Sequence, residues 1–354
     1  MAAALVRQLR FALAGLLVLV RQAHSDAGCQ IETTADDIVA GLDIRDKVAV
    51  VTGGDSGMGY EVALSLARGG ATVCIGSHNE TKGTAAAQKI IDKIPGAKVR
   101  SFSLDLGSFS SVRTFATQVR ESTGGGIHML INNAGIYDNE AKATADGFEV
   151  IFQVNYLGHF LLTELLLPAL RQAKGRVVNV ASEQEGVACR LAGFPDGCLH
   201  GFDYLPVPVI PKHNVTMADG FSMPATTYGI AKTMLIEHAA ALALREDPSK
   251  VAAFAITPGY VNTSITIGDN VTRRCLTQPP PNPCPFTPQE GAAVSVYCAA
   301  AAAESLSGSY ISRVLECSPQ EPVHNGFTRA MLPELYSRSL QWVGLSEEEP
   351  SLFA

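Results

Sequence analysis

The sequence is poor in charged residues, and those it has leave a negative excess. Charged residues make up 17% of the 354 positions, hydrophobic residues make up 47%, and the formal net charge is −7. A chain this apolar can bury a core and lies far from the composition of disordered proteins. Because the acidic balance also lacks the clustered lysines and arginines that bind phosphate backbones, we expect no nucleic-acid partner.

Metal-ligand spacings and internal repeats are also missing. No C-x-x-C pair or cysteine/histidine ligand spacing occurs, so we expect no metal site. The eight cysteines are too few for a disulfide scaffold in a chain of this length. Cys74 and Cys298 lie in apolar runs and are expected in the core. The pairs Cys189–Cys198 and Cys275–Cys284 could each close a loop in an oxidising lumen.

The first acidic residue is Asp26, and arginines flank an apolar run from Phe11 to Val20 before it. This run of about ten residues is short for a membrane-spanning helix, which needs about twenty. It fits a signal-peptide core or a monotopic anchor, and an arginine-bearing, acid-free segment also fits a mitochondrial presequence. We expect residues 1–25 to associate the chain with a membrane, foremost that of the endoplasmic reticulum, with the mitochondrion or an exposed tail as alternatives.

From Lys47 onward, short β-branched runs alternate with amphipathic stretches. This pattern is typical of βαβ units and predicts a doubly wound α/β fold with a parallel sheet covered on both faces. Seven strands are predicted, at Val48–Thr52, Thr72–Ile75, Val99–Leu104, Met129–Asn132, Val177–Val180, Ala253–Ile256 and Tyr310–Ile311. Helices are predicted to begin near Gly57, Glu80, Ser110, Ala145, Thr226 and Gln289.

The predicted organisation is a single folded domain with additions at both ends. Residues 26–45 are expected to be a linker, 46–320 the domain, and 321–354 a C-terminal extension. Two stretches rich in glycine or proline, 189–224 and 268–288, interrupt the rhythm and are expected to be long loops.

A glycine-rich stretch, Thr52–Gly59, follows the first predicted strand and opens a helix. Glycines allow a sharp turn and a close backbone approach to a pyrophosphate, and the helix N-terminus offers unpaired N–H groups. The spacing is G-x-x-x-G-x-G. We interpret this stretch as a phosphate-binding turn, with a glycine-rich loop that binds no ligand as the alternative.

Tyr228 and Lys232 are four residues apart and therefore share one face of a predicted helix. A phenol with its usual pKa near 10 is a poor acid–base catalyst at neutral pH. A neighbouring lysine favours the phenolate and is expected to lower that pKa. Such a pair is by itself more often a surface feature than a catalytic one.

Several motifs together carry a family resemblance. Their order and sheet positions match one family, at Thr52–Gly59, Asn132–Gly135, Asn155, Ser182, Tyr228 and Lys232. The chain resembles the short-chain dehydrogenases/reductases over about Asp46 to Ile311. The resemblance implies a Rossmann-type, seven-stranded sheet of order 3-2-1-4-5-6-7 in a single domain, which binds NAD(P) and transfers hydride.

The resemblance also implies which residues bind the cofactor. It assigns the pyrophosphate to a turn comprising Gly53, Ser56, Gly57, Met58 and Gly59. It places the adenine beside Asp105 and Leu106, and the adenosine ribose beside Asn133 and Gly135. It assigns the nicotinamide to the stretch Pro258–Thr263, with Pro258, Gly259, Val261 and Thr263 as contacts.

Catalytic roles follow from the same resemblance. In carbonyl reduction Tyr228 gives a proton to the substrate oxygen, and Ser182 donates a hydrogen bond to that oxygen. Lys232 tunes Tyr228 and holds the nicotinamide ribose, while Asn155 holds a water against Lys232. Ala181 stands where many members carry a second serine.

The cofactor preference is expected to depend on the end of the second strand. The residues there are Ser77, His78 and Asn79, and none is an acid that would repel a 2′-phosphate. His78 could contact such a phosphate. The sequence therefore favours NADP(H) over NAD(H).

Within the family, the chain resembles the retinol-dehydrogenase-like branch in its N-terminal apolar segment, the gap from Ser182 to Tyr228, and Asn155–Thr163. This implies a lipophilic alcohol or carbonyl substrate such as a retinoid, steroid or other lipid. The alternatives are a broad carbonyl reductase and a nucleotide-binding regulatory protein that has lost the chemistry. A homodimer through the long helices, Ala145–Arg171 and Thr226–Leu244, is expected from the resemblance alone.

Overall fold

The structure is a computed structural model that describes residues 32–137, 142–183, 223–263, 265, 286–320 and 332–346. The expected N-terminal segment 1–25, nearly all of the two loop insertions, and the pairs Cys189–Cys198 and Cys275–Cys284 lie outside these residues.

In the described part of the chain, one sheet has the strand order β3-β2-β1-β4-β5-β6-β7-β8. Its strands are β1 (Val48–Thr52), β2 (Thr72–Ser77), β3 (Val99–Ser103), β4 (Met129–Asn132), β5 (Gly175–Val180), β6 (Val251–Thr257), β7 (Tyr310–Ser312) and β8 (Ser318–Gln320). The first seven strands run parallel, which confirms the predicted doubly wound fold and strand order. The eighth, β8, pairs antiparallel with β7 and was not predicted. Its three residues include a proline and form no β-branched run, so they give no strand signal.

Helices cover both faces of this sheet. They are α1 (Ala35–Ala40), α2 (Gly57–Arg68), α3 (Glu80–Lys93), α4 (Phe109–Thr123), α5 (Val150–Phe152), α6 (Gly158–Ala173), α7 (Met223–Arg245), α8 (Pro288–Ala300) and α9 (Leu332–Trp342). One apolar core lies between the sheet and α1, α2, α3 and α8, and the other lies between the sheet and α4, α6, α7 and α9. Because successive strand residues point to opposite faces, each central strand contributes to both cores.

Two local features of the structure differ from what the sequence suggests. The predicted linker 26–45 contains α1, which begins with a capping box at Thr34 and buries Ala35 and Val39. The helix predicted from Ala145 begins instead at Val150, because Ala143 and Glu149 first form an isolated β-bridge. The predicted cap at Thr287, with Pro288 at the first helical position of α8, is confirmed.

The helix that runs from α5 to α6 changes its winding partway. A π-helical turn, Gln153–Leu157, joins the two α-helical parts. Together they span Val150–Ala173, and this is the one helix among the described residues that is long and apolar enough to cross a membrane. Its most apolar window is 83% buried inside the fold, which is the burial of a core helix.

The C-terminal helix α9 packs on the outer side of α6 and α7. The Tyr336 hydroxyl donates to Glu164 Oε2 over 2.6 Å, and the hydroxyls of Tyr156 and Ser339 are 2.7 Å apart. The predicted C-terminal extension therefore belongs in part to the folded core. A homodimer through the long helices has to use surface that α9 leaves uncovered.

Candidate active site

Tyr228, Lys232 and Ser182 come together at the carboxyl end of β5. Tyr228 and Lys232 are both buried on one face of α7, and Ser182 follows β5 directly. The Ser182 side chain is hydrogen-bonded to Tyr228. Lys232 Nζ donates to the carbonyl of Val180 over 2.7 Å and lies 5.5 Å from the centroid of the Tyr228 ring. The Tyr228 phenol, the Ser182 hydroxyl and the Lys232 amine therefore lie close together.

Burial dominates the ionisation of this group. Loss of hydration raises the pKa of Tyr228 to about 12, although the Ser182 hydrogen bond lowers it, and Tyr137 raises it further. Burial also lowers the pKa of Lys232 to about 7. The expectation that Lys232 lowers the Tyr228 pKa is not met in this structure. The physical reason is that the buried amine is itself only partly charged near neutral pH and is held at the Val180 carbonyl.

Asn155 lies in the π-helical turn and holds the loop that follows β4. Its Oδ1 accepts from the Ile136 N–H over 2.8 Å, and its Nδ2 donates to the Ile136 carbonyl over 3.0 Å. A Cβ atom added at Gly135 would lie 3.4 Å from Asn155 Oδ1 and 3.6 Å from Lys232 Nζ, so these two groups flank the same glycine. Both amide atoms of Asn155 bind the Ile136 backbone, and the water that Asn155 is expected to hold against Lys232 stays a prediction.

The glycine-rich turn has the geometry that its sequence predicts. Gly53 and Gly57 have φ values of +65° and +53°, which favour glycine. A Cβ atom at Gly59 would lie 2.2 Å from the Gly53 carbonyl oxygen, so only glycine fits there. Ser56 precedes α2 without a side-chain capping bond, and Met58 is buried behind the turn. The first N–H groups of α2 thus receive no acceptor from the Ser56 side chain.

Thr52 joins this turn to the end of β4. Its Oγ1 accepts from the N–H groups of Asn133 and Ala134, each over 2.9 Å. In return, Asn133 Nδ2 donates to the Thr52 carbonyl over 2.9 Å. The glycine-rich turn and the end of β4 are some eighty positions apart in the sequence. These hydrogen bonds join them at one edge of the sheet.

Residues at the ends of β2 and β3 lie where the sequence locates the cofactor preference. His78 Nε2 lies 3.9 Å from Asp105 Oδ2, and Asp105 Oδ1 accepts from the Gly107 N–H. An acid therefore faces His78, but it comes from the neighbouring strand. Leu106 is buried, and its carbonyl leaves no room for a side chain at Gly158.

The stretch Pro258–Thr263 lies against the glycine-rich turn after β1. A Cβ atom added at Gly57 would be 3.5 Å from Thr263 Cγ2. Gly259 has a φ of +70°, and a Cβ atom there would be 2.8 Å from the Phe286 ring. Val261 pairs with Phe286 in an isolated parallel bridge. The structure thus brings the expected nicotinamide contacts beside the expected pyrophosphate turn.

Sequence reasoning missed Tyr137 and Ile265 at this site. The rings of Tyr137 and Tyr228 meet edge to face, with centroids 5.6 Å apart. Ile265 Cδ1 would lie 3.7 Å from a Cβ atom at Gly135. Both residues are exposed and stand in irregular segments, where no periodic pattern marks them.

Known proteins are similar to this chain over most of its length. The short chain dehydrogenase family model matches residues 47–192. The WW domain-containing oxidoreductase of Gallus gallus is 34% identical, covering 87% of this chain and 72% of that protein. Retinol dehydrogenase 11 of Mus musculus is 33% identical, covering 86% of this chain and 88% of its own. Polyprenol dehydrogenase of Danio rerio is 33% identical, covering 84% and 87%.

A solved structure is similar to this chain in fold. An uncharacterized protein from Mycobacterium Paratuberculosis is 27% identical, with a TM-score of 0.63 over 87% of this chain and 97% of that one. The family's oxidoreductases use NAD(P), and the turn, the glycines and the tyrosine/lysine pair described above fit such a cofactor. The chain therefore belongs to the short-chain dehydrogenase/reductase family, as a retinol-dehydrogenase-like enzyme that interconverts alcohols and carbonyls.

Proposed function

We propose that this enzyme acts on a lipophilic alcohol or carbonyl, such as a retinoid, a steroid or another lipid, and that it prefers NADP(H) to NAD(H). The observation that carries the chemistry of this proposal is the buried phenol of Tyr228, hydrogen-bonded to Ser182 and adjacent to Lys232. Retinol and polyprenol, the alcohols in the names of two relatives, are long and apolar.

Tyr228 and Ser182 handle the substrate oxygen. When bound, NAD(P)(H) supplies or accepts the hydride. In reduction the Tyr228 hydroxyl donates its proton to the carbonyl oxygen while Ser182 donates a hydrogen bond to it. Because burial holds the pKa of Tyr228 at about 12, the protonated form needed for reduction is the one present at neutral pH.

Lys232 and Asn155 support those two groups. An ammonium has three donors, and Lys232 uses one on the Val180 carbonyl, which leaves two for ribose hydroxyls and the phenol. With its pKa lowered to about 7, Lys232 exchanges a proton easily near neutral pH. Asn155 fixes the backbone at Ile136, beside Gly135 and Lys232, and so sets where the ribose lies.

Exposed apolar side chains favour a lipophilic substrate. Tyr137 stands beside Tyr228, Ile265 stands beside Gly135, and Tyr260 follows Gly259 in the nicotinamide stretch. These three are among the few large hydrophobic residues in the described chain that are exposed. Apolar walls with a few convergent polar groups are typical of sites for small apolar ligands.

We propose that the N-terminal segment attaches the enzyme to the endoplasmic reticulum membrane with the domain on the lumenal side. Cys317 is disulfide-bonded, and disulfides persist in oxidising compartments. Cys74 and Cys298 are free and buried, so neither of them is the partner of Cys317.

Turnover by the purified full chain in detergent tests the enzyme proposal. NADPH or NADH is mixed with all-trans-retinal, a steroid ketone or a small aldehyde, and cofactor absorbance is followed. We expect consumption of NADPH with a lipophilic carbonyl, at a rate that Tyr228→Phe abolishes without loss of cofactor binding. Tyr297→Phe removes a hydroxyl from α8, on the other face of the sheet, and serves as the matched control.

Three outcomes would contradict the proposal in different ways. Wild-type rates in Tyr228→Phe would refute the assigned proton donor. A preference for the small aldehyde would favour a broad carbonyl reductase. Cofactor binding without turnover on any substrate would favour a regulatory nucleotide-binding protein.

A further inference from the structure

His159 is a fully buried histidine in the first turn of α6, and the proton transfers described above do not use it. Both of its ring nitrogens have partners. Nδ1 lies 3.1 Å from the Asn155 carbonyl oxygen, and Nε2 lies 2.9 Å from Thr52 Oγ1. One imidazole therefore touches the residue that begins the glycine-rich turn and the asparagine of the π-helical turn.

The direction of each hydrogen bond follows from the Thr52 hydroxyl. Its oxygen already accepts from the N–H groups of Asn133 and Ala134. Its single proton is donated to His159 Nε2 at 2.9 Å, since the alternative acceptor, the Ile131 carbonyl, is 3.5 Å away. Nε2 is thus the acceptor, and Nδ1 carries the ring proton that is donated to the Asn155 carbonyl.

The His159 ring is neutral near neutral pH. Burial lowers the pKa of His159 to about 3, against a smaller raising effect of the bond to Asn155 and with the charge of Lys232 lowering it further. A neutral imidazole can accept at one nitrogen and donate at the other, which an imidazolium cannot.

These hydrogen bonds form a closed circuit around Gly135, called here the ring of bonds. The N–H groups that follow β4 donate to Thr52, Thr52 donates to His159, and His159 donates to the Asn155 carbonyl. The Asn155 side chain then returns to the backbone of Ile136 in the loop where the ring began. Lys232 Nζ would be 3.6 Å from a Cβ atom at Gly135, so the lysine borders the ring.

We propose that neutral His159 is a positioning residue that couples the cofactor-binding turn to the Asn155–Lys232 side of the active site. The inference deepens the proposed function and rests on it for the identity of the cofactor. Without the imidazole, the Thr52 hydroxyl and the Asn155 carbonyl lose their shared partner in a fully buried place. Thr52 and Asn155 still hold the two ends of the loop at Gly135, but the imidazole no longer links them to each other.

His159→Phe tests this coupling, with His238→Phe as the matched control. His238 is equally buried and lies 4.9 Å from Phe160, ring to ring, but its polar neighbours are Asn179 and Glu164 and not Thr52 or Asn155. We expect His159→Phe to raise the Kd for NADPH and to lower kcat, each about tenfold. We expect His238→Phe to lower the Tm while both constants stay within about twofold. His159→Gln, whose amide both donates and accepts, should recover part of the loss.

Hydrogen exchange provides a readout that needs no cofactor. The peptide that contains Asn133–Ile136 should exchange faster in His159→Phe than in wild type, and should be unchanged in His238→Phe. Combining His159→Phe with Thr52→Val should give a loss no greater than that of Thr52→Val alone, because both changes break one chain of bonds.

The outcomes distinguish a failure of the His159 coupling from a failure of the proposed function. Wild-type exchange in His159→Phe, or equal effects of the two histidine variants on NADPH binding, would overturn the coupling. Independent, multiplying losses in the Thr52/His159 pair would also overturn it. Failure of the wild-type chain to bind or use NADPH, with the exchange difference intact, would refute the proposed function and leave the ring of bonds standing.

Discussion

Gly59→Ala is predicted to damage the cofactor-binding turn through one methyl group. The added Cβ would lie 2.2 Å from the Gly53 carbonyl oxygen and 2.4 Å from Asn133 Nδ2, an overlap of about 1 Å with each. Such overpacking costs about 1–3 kcal/mol, here near the upper end because the Gly53 oxygen belongs to the backbone. Alanine recovers about 1 kcal/mol in helix propensity. We expect a net loss of about 1–2 kcal/mol in the free energy of unfolding.

The affinity for the cofactor should also fall, because the glycine-rich turn has to open by about the size of the overlap at Gly59. A shift of that size at the N–H groups of α2 is expected to raise the Kd for NADPH at least about tenfold. Chemical denaturation measures the stability, and NADPH fluorescence measures the Kd. Gly126→Ala is the control, because its Cβ would meet only Ala173, at an ordinary 3.7 Å. Wild-type stability and affinity in Gly59→Ala would refute the reasoning.

Three further predictions concern titration and redox state. Glu237 is fully buried, has no hydrogen-bond partner among the described residues, and has its pKa raised by burial to about 8. The folded state therefore keeps a proton that the unfolded state releases, so stability should fall from pH 5 to pH 8, and Glu237→Gln should remove this slope in urea unfolding. For carbonyl reduction, kcat/KM should decline with rising pH as Lys232 loses its proton near pH 7. Lys232→Met should lose most of its activity, and its remaining activity should not show this decline. Cys317 should resist alkylation in denatured protein until a reductant is added; labelling without reductant would contradict the disulfide.

Local patterns in the sequence predicted much of the sheet and of the site. The run Val48–Thr52, the glycine-rich turn after it and the Thr287 cap of α8 are each encoded within a few residues. A strand end, a positive φ and a helix cap depend on neighbours in the chain, so they can be deduced without the fold. The four-residue spacing of Tyr228 and Lys232 likewise suffices to place both on one helix face.

Features that depend on contacts between distant segments could not be predicted in this way. Asp105 faces His78 only because β3 lies beside β2, so an argument confined to the end of β2 missed the acid. The helix α1 has a local signal, the capping box at Thr34, but its six residues are too few to be stable until Ala35 and Val39 pack on the core. The raised pKa of Tyr228 likewise comes from burial, which the spacing to Lys232 does not encode.

The central claim is that Tyr228 donates a proton at this site while hydride reaches the substrate carbon. The most direct measurement uses NADPH carrying deuterium at the transferable position, with a lipophilic carbonyl, and analyses the alcohol product by mass spectrometry. We predict one carbon-bound deuterium per product molecule with the wild-type chain, and no product with Tyr228→Phe although that variant still binds NADPH. Alcohol without deuterium, or labelled alcohol formed by Tyr228→Phe at the wild-type rate, would contradict the account.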